Sequence, residues 1–424
     1  MPIESDVLVI GGGLAGLTSA LSAARSGADV RLVSYKQSTL GSASGLIDLL
    51  GYRPDGTGPI VEPIEAIGAL PAGHPYRTVG RENVQAGMAL FDDVATGYQG
   101  SHTDANALLP THGGTVKPTA RYPAATSEGL ASDERAMLLV GFESLVDFDA
   151  PHAAAHLRAA GVPFDVRGTT LRFPGSLRPD AAVTRYAKLL DQNATVTAPD
   201  GERPVRDVIA ERVDAELETA ERVGFPAILG DEAASEVRAA LAERLGVPVF
   251  EIPMGPPSLP GLRLEDTLFE ALDGVGASIE TGNPVVAYDG DDSVETVYVD
   301  KNGARIPNRA DQYILATGGL VGKGIESDRG SVYEPIFDCH VPHDADRYEW
   351  SSGEVYGDHE FATFGVRTDA ELRPVTASGE PEFDNLRAAG AVLGGYDAPA
   401  EKSAAGVSIA TGYTAGRAAA TEGR

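Results

Sequence analysis

The stretch DVLVIGGGLAGLTSALSAARSGADVRLVS, residues 6–34, limits the possible folds more than any other part of the chain. Residues 6–10 read as a buried strand, 14–27 as a helix and 29–34 as a second buried strand, a βαβ unit of ordinary length. Gly11, Gly13 and Gly16 between them satisfy G-x-G-x-x-G, here in the strand-then-helix context that gives the pattern meaning. Gly11 permits the tight turn, Gly13 lets backbone N–H groups approach a phosphate, and Gly16 lets helix pack on strand. The amino end of the helix then presents partial positive charge to an anion.

The second strand ends on Ser34, where a dinucleotide fold usually places Asp or Glu to hold an adenosine ribose. Either Ser34 makes a single weaker contact or no adenosine ribose lies there; Lys36 nearby suits a 2′-phosphate and keeps NADP open. Two later segments favour a flavin. YILATGG at 313–319 is a strand running into Thr317 and Gly318, whose backbone can reach a cofactor. NLRAAGAVLGG at 385–395 offers Gly390, Gly394 and Gly395 before a helix that starts near 403. That helix start, with Lys402 and Gly406, is expected to aim positive charge at the pyrimidine edge of the ring, where a reduced flavin is anionic. The loop STLGSASGLIDLL at 38–50 follows the second strand, and its Ser42, Ser44 and Gly45 are small enough to admit backbone donors to the ring's reactive face.

Charge and cysteine content exclude several classes. The formal charge is −28, from 62 acidic against 34 basic residues, spread along the chain rather than gathered in a tail. Nucleic acid is therefore not expected as a partner, since its phosphates would be repelled over most of the surface. A dispersed acidic surface suits a salt-rich cytoplasm, and a halophilic source is expected. The single cysteine, Cys339, rules out an internal disulfide framework and a cysteine-ligated iron–sulfur cluster. MPIESD lacks the basic and apolar regions of a signal peptide, and no window of about eighteen apolar residues occurs, so a soluble cytoplasmic protein is expected.

With 424 residues and 42% hydrophobic content, the chain can bury more than one core. The expected fold is α/β. A Rossmann-like flavin-binding domain is assembled from residues 1–60, 246–340 and 380–424, with an inserted α+β cap from 61–245 and 341–379. The cap includes two acidic stretches read as helical, DVIAERVDAELETAERV and DEAASEVRAALAERL.

These residues together resemble the B subunit of anaerobic glycerol-3-phosphate dehydrogenase. The resemblance rests on VIGGGLAGL at 9–17, SASGLIDLL at 42–50, HPY at 74–76, GFESLVDFDA at 141–150, PPSLPGLRLE at 256–265, LATGGLVGKG at 315–324, EPIFD at 334–338, FGVRTDAELRP at 364–374 and NLRAAGAVLGGYD at 385–397. It implies a flavoprotein of a three-part complex that oxidises glycerol 3-phosphate to dihydroxyacetone phosphate and feeds the quinone pool. This member of the complex is associated with FMN, with FAD as the alternative; one partner holds FAD, and another carries iron–sulfur clusters and the membrane contact. FMN has no adenosine, which suits Ser34. The chain departs from the pattern at AEKSAAG, which leaves only Gly406 where a glycine cluster is expected, and its acidic block at 190–245 has no counterpart. The resemblance also implies a halophilic archaeal source and a peripheral position at the inner face of the membrane.

Oxidising a secondary alcohol needs a base for the hydroxyl proton and cations for the substrate phosphate. His74, His340 and His343 are the candidate bases, and Arg263, Arg329 and Arg367 the candidate phosphate clamps. Cys339, His340 and His343 give no fourth ligand, so no metal is expected. If the alcohol is oxidised on the FAD-bearing partner, this chain relays electrons or serves assembly and needs no base; an FAD- or NADP-linked oxidoreductase of other specificity is the remaining alternative.

Overall fold

The computed structural model describes residues 2–423 except Lys36, Gln37, Ser176, Pro179, Asp180 and Tyr356. The reading of Lys36 as a 2′-phosphate ligand therefore lies outside the described residues. The principal elements, in chain order, begin with β1 (Ile3–Ile10), α1 (Leu14–Arg25), β2 (Val30–Ser34) and α2 (Pro75–Val94). Then come β3 (Met137–Phe142), α3 (Ala150–Ala159), β4 (Val166–Leu171), β5 (Arg222–Pro226), α4 (Ala234–Leu245) and β6 (Val249–Ile252). The last are β7 (Ser278–Thr281), β8 (Val285–Gly290), β9 (Val294–Lys301), β10 (Ala304–Leu315), β11 (Leu386–Ala388) and α5 (Ala404–Glu422).

Contacts divide the chain into a first unit of Met1–Thr39, Asp48–Thr96 and Asp266–Arg424 and a second of Leu40–Ile47 and Gly97–Glu265. The first unit is built on a sheet of order β7-β2-β1-β10-β9-β8, with β11 added beside β10. Strands β7, β2, β1, β10 and β11 are parallel to their neighbours, whereas β8, β9 and the first half of β10 form an antiparallel meander. Val7–Ile10 and Tyr313–Leu315 are buried because parallel strands are covered on both faces. One cover is the pair α1 and α5. A Cβ at Gly412 would lie 2.6 Å from the Ala15 carbonyl oxygen, and one at Gly416 2.2 Å from that of Ser19. Glycine inside a helix costs about 1 kcal/mol; here it brings two backbones together, and α2 packs on the far side of α5 through Gly87, against Ile409 and Ala410.

The second unit is built around a parallel sheet of order β6-β5-β3-β4, with α3 and α4 crossing between paired strands, so the inserted domain is made of βαβ units where an α+β arrangement was expected. Its core joins Leu138, Leu139, Val140, Phe225, Ile228, Leu241 and Phe250. Arg222 at the start of β5 is buried, with its guanidinium 4.5 Å above the Phe164 ring and donating to the carbonyls of Glu128, Leu130, Asp133 and Arg135.

Two further expectations are corrected. The stretch DVIAERVDAELETAERV is helical only to Leu217; Glu218 takes positive φ and the segment becomes β5, because Arg222 and Val223 complete the buried sheet. The boundaries move as well. Residues 61–96 and 341–379 belong to the first unit, since α2 packs on α5 and Val341, Phe364 and Val366 join the core over β10. Residues 40–47 and 246–265 belong to the second, where β6 pairs with β5.

Candidate functional site

The carboxyl ends of β2, β1, β10 and β11 finish side by side. Gly11 N–H donates to the Val33 carbonyl at 2.8 Å, Ala316 N–H to Ile10 at 2.8 Å, and Ala389 N–H to Leu315 at 2.9 Å. At that edge Gly11 adopts φ +122°, and a Cβ there would stand 2.1 Å from the Ala316 carbonyl oxygen. Gly16 is equally fixed, its hypothetical Cβ 1.9 Å from the Gly11 oxygen. Gly13 differs: the nearest atom to a Cβ there is Thr39 Oγ1 at 3.8 Å. It is the N-cap of α1, no side chain caps that helix, and no acid lies in its first turn. The amides of the first turn thus face a space a side chain would fill, which fits a phosphate.

Ser34 has a definite task. Its buried hydroxyl accepts the Gly12 N–H at 3.1 Å and so holds the glycine turn against the end of β2. Thr317 follows β10, and its Oγ1 is buried without a hydrogen-bond partner. Gly318 is tightly enclosed, with a Cβ at Gly324 only 2.0 Å from its oxygen. Gly390 donates its N–H to Thr411 Oγ1 at 2.9 Å and lies on Ala15, where a Cβ would come within 2.5 Å of the Ala15 Cβ. The first and last glycine segments therefore meet on α1. Gly394 and Gly395 donate to Val366 and Thr363, which places them against the 363–366 loop.

Other predicted residues have different roles. His74, fully buried, is the N-cap of α2: Nδ1 accepts Tyr76 N–H at 3.1 Å, so Nε2 carries the proton and donates to Glu401 Oε2 at 2.9 Å. With both ring nitrogens engaged, it is not placed to take a proton from a substrate. Arg263 lies in the second unit and grips the buried Glu251 at 2.7 and 3.1 Å, also donating to the Gly230 carbonyl. That fork is closed to a phosphate. Gly406 is glycine because a Cβ would fall 2.1 Å from Tyr76 Oη, and Lys402 directs its Nζ to the Pro399 carbonyl at 2.5 Å. Among the loop residues of the second unit, Gly45 adopts φ +75° against Pro260, Ser44 Oγ accepts Leu46 N–H at 3.3 Å, and Ser42 is exposed.

His340 and His343 border a cavity of about 520 Å³ with Asp328, Asp338, Cys339 and Glu382. Three carboxylates there repel a phosphate ester. Burial pushes the Cys339 thiol up, so it is no thiolate, and among the described residues no cluster suits a metal ion. Arg329 and Arg367 keep exposed side chains.

Sequence reasoning missed the buried polar knot around the start of α5. Asp48 Oδ1 accepts Ala405 N–H at 2.9 Å and its carbonyl accepts Gly406 N–H at 2.7 Å. Glu401 accepts from His74, from Ser403 Oγ at 3.2 Å and, through Oε1, from Asp397 N–H at 3.2 Å. A signal existed for part of it: His74-Pro75 and Asp397-Ala-Pro399 both carry a capping residue with proline at the helix start.

The FAD binding domain family matches residues 6–407. The B subunit of the probable anaerobic glycerol-3-phosphate dehydrogenase of Halobacterium salinarum is 66% identical over 421 residues, covering 99% of each chain. Its counterpart in Yersinia pseudotuberculosis is 33% identical over 96% of each, and that of Vibrio cholerae is 31% identical over 97% of this chain and 95% of its own. The cofactor is a flavin, and FMN as the first choice is not supported, because the family is one of FAD-binding domains. The missing acid after β2 misled for a physical reason: Ser34 anchors the turn through Gly12 and is no argument against adenosine. The chain belongs to the anaerobic glycerol-3-phosphate dehydrogenase B-subunit family, flavoproteins built on an FAD binding domain.

Proposed function

We propose that this chain is the flavoprotein subunit of a complex that oxidises glycerol 3-phosphate to dihydroxyacetone phosphate and passes the electrons to quinone, with FAD as its own cofactor. The observation that carries the reading is the uncapped amino end of α1 behind Gly13, in a chain 66% identical to a subunit so named. A bound flavin supplies a two-electron acceptor. The chain's own residues bind and orient it: the first-turn amides of α1 meet the pyrophosphate, Ser34 holds those amides in place, and the buried Thr317 Oγ1, just past β10, keeps an open hydrogen-bonding valence. Partner subunits, one with FAD and one with iron–sulfur clusters at the membrane, complete the path. Among the described residues no helix is long and apolar enough to cross a bilayer.

A second reading, electron relay with the alcohol oxidised on a partner, is favoured by one observation: His74 and Arg263 are both engaged in buried pairs. Acid release of the cofactor followed by chromatography identifies FAD or FMN. Anaerobic addition of glycerol 3-phosphate to the loaded chain then separates the readings. Loss of the flavin's visible absorbance with the chain alone supports direct oxidation, and loss only after the partner subunits are added supports relay. No loss in either case overturns both.

A further inference from the structure

Helices α1 and α5 run in the same direction, because Gly412 sits on Ala15 and Gly416 on Ser19. Residues 404–410 of α5 therefore extend past the first turn of α1, by about 10 Å at 1.5 Å per residue. The amino end of α5 overhangs the edge at which the glycine turn would hold a phosphate. The sequence suggests positive charge at that end, from the helix dipole and Lys402. The side chains found there are different. Asp48 is 6% exposed and Glu401 2%, and each is bonded to the backbone or side chains that open α5. His74, bonded to Glu401, is neutral, since its Nδ1 accepts an N–H. The Lys402 ammonium is turned onto the Pro399 carbonyl. Two buried negative charges thus stand at the helix start with a neutral imidazole between Glu401 and the amino end of α2. The Tyr76 and Tyr396 phenols feel them: burial, and after it the carboxylates of Asp48 and Glu401, push both up.

We propose that Asp48 and Glu401 are positioning residues that lower the reduction potential of the bound flavin, their fixed negative charge at the start of α5 opposing the charge the flavin gains. The balance is simple. Two-electron reduction with uptake of one proton adds one negative charge to the cofactor, and a nearby fixed anion disfavours that charge. The helix dipole acts the other way but amounts to only about half a charge. A lower potential favours onward transfer of the electrons over their retention. The inference rests on the flavin occupying the glycine turn.

The test compares the flavin midpoint potential of the loaded wild-type chain with those of Asp48→Asn and Glu401→Gln, measured spectrally against equilibrating dyes. Both substitutions remove the charge and keep an acceptor oxygen, for Ala405 N–H in one case and for His74 in the other, although Glu401→Gln gives up the second acceptor, the one for Asp397 N–H. Each is expected to raise the ratio of reduced to oxidised flavin about tenfold at a fixed reference potential, which is about 30 mV for a two-electron couple. A purely structural role would shift the melting temperature and leave the potential in place; potentials unchanged or lowered in the loaded variants overturn the proposal. If Asp48→Asn fails to hold flavin, Glu401→Gln decides alone. A wild-type chain that takes up no flavin overturns the functional reading itself, a different result from loaded variants of unaltered potential.

Discussion

Each unit contains a parallel sheet in which strands feed helices, yet α1, which follows β1, begins in the opposite way from α3 and α4, which follow β3 and β5. In the first unit, α1 begins on Gly13 with no capping side chain and no acid in its first turn. In the second, α3 begins on Asp149, whose Oδ1 accepts His152 N–H at 3.0 Å. The turn into α4 is bonded to one carboxylate: Asp191 accepts from Asp231, Glu232 and Ala233 at 2.9, 3.3 and 3.1 Å. The order β6-β5-β3-β4 also reverses direction between β3 and β5, so topology alone gives this sheet a switch point of the kind where α/β proteins bind ligands. A carboxylate already on the amides makes the site a poor one for a phosphate. Connectivity makes a crevice; the charge at the helix end decides whether an anion can use it.

The sharpest way to break this comparison is to give the first unit the second unit's cap. Gly13 has extended backbone, φ −78° and ψ −180°, and room for a Cβ, so Gly13→Asp fits as an N-cap. Replacing Gly by Asp at an N-cap changes stability by only a few tenths of a kcal/mol. A carboxylate about 4 Å from a phosphate is worth about 4 kcal/mol of repulsion at an effective dielectric near 20. Flavin affinity is therefore expected to fall about a thousandfold with the melting temperature unchanged, measured by fluorescence titration and calorimetry on one sample. Retained affinity would remove the glycine turn from the site.

The units also differ in how they hold acids. Burial pushes the Glu334 carboxyl in the first unit up to about 7, against the pull of the Phe337 and Ile336 N–H groups. Because its folded value lies above the ordinary 4.5, its contribution to stability is full below that value and is lost as pH rises through about 7. Asp133 in the second unit is pulled down to about 2, chiefly by its hydrogen bond from Arg135, so its contribution is present above 3.8 and is lost as pH falls through about 2. The stability of the wild type relative to Glu334→Gln is expected to decline by about 3 kcal/mol between pH 4.5 and 7, read from denaturant melts. A flat difference would mean that Glu334 is solvated.

The part of the site legible in the sequence is the part whose physics is local. Gly11, Gly13 and Gly16 act through a turn of six residues, and the structure gives each the geometry its position implies. Residues whose packing reason lies far along the chain gave no sign of it in the sequence. Ser34 answers to Gly12, Gly406 to Tyr76, Gly45 to Pro260 and His74 to Glu401, and those separations, up to 330 residues for Gly406 and Tyr76, carry no pattern that periodicity can detect. The parallel sheet of the second unit was hidden for a related reason: strands as short as Val249–Ile252 are set by burial among neighbours, and β5 follows a helix with only a few residues between. The acids around α5 were missed because a buried carboxylate and a surface one look alike in a chain with 62 of them.

Two smaller substitutions probe the same contrast from either side. Asp191→Ala removes the acceptor for three amides in the second unit and is expected to cost about 2 kcal/mol of stability, at the upper end for a lost cap, with flavin affinity unaltered. Ser34→Ala leaves the buried Gly12 N–H without its acceptor, which costs about 1 kcal/mol as an unmade hydrogen bond. Here the loss should appear in the cofactor as well as in the fold, because the untethered amide belongs to the loop proposed to meet the phosphate. A flavin dissociation constant weakened about fivefold, equivalent to about 1 kcal/mol, together with a small drop in melting temperature, is the expected result. If affinity holds while stability falls, the tether serves only the turn, and the amides of α1 are organised by Gly11 and Gly16 without help from β2.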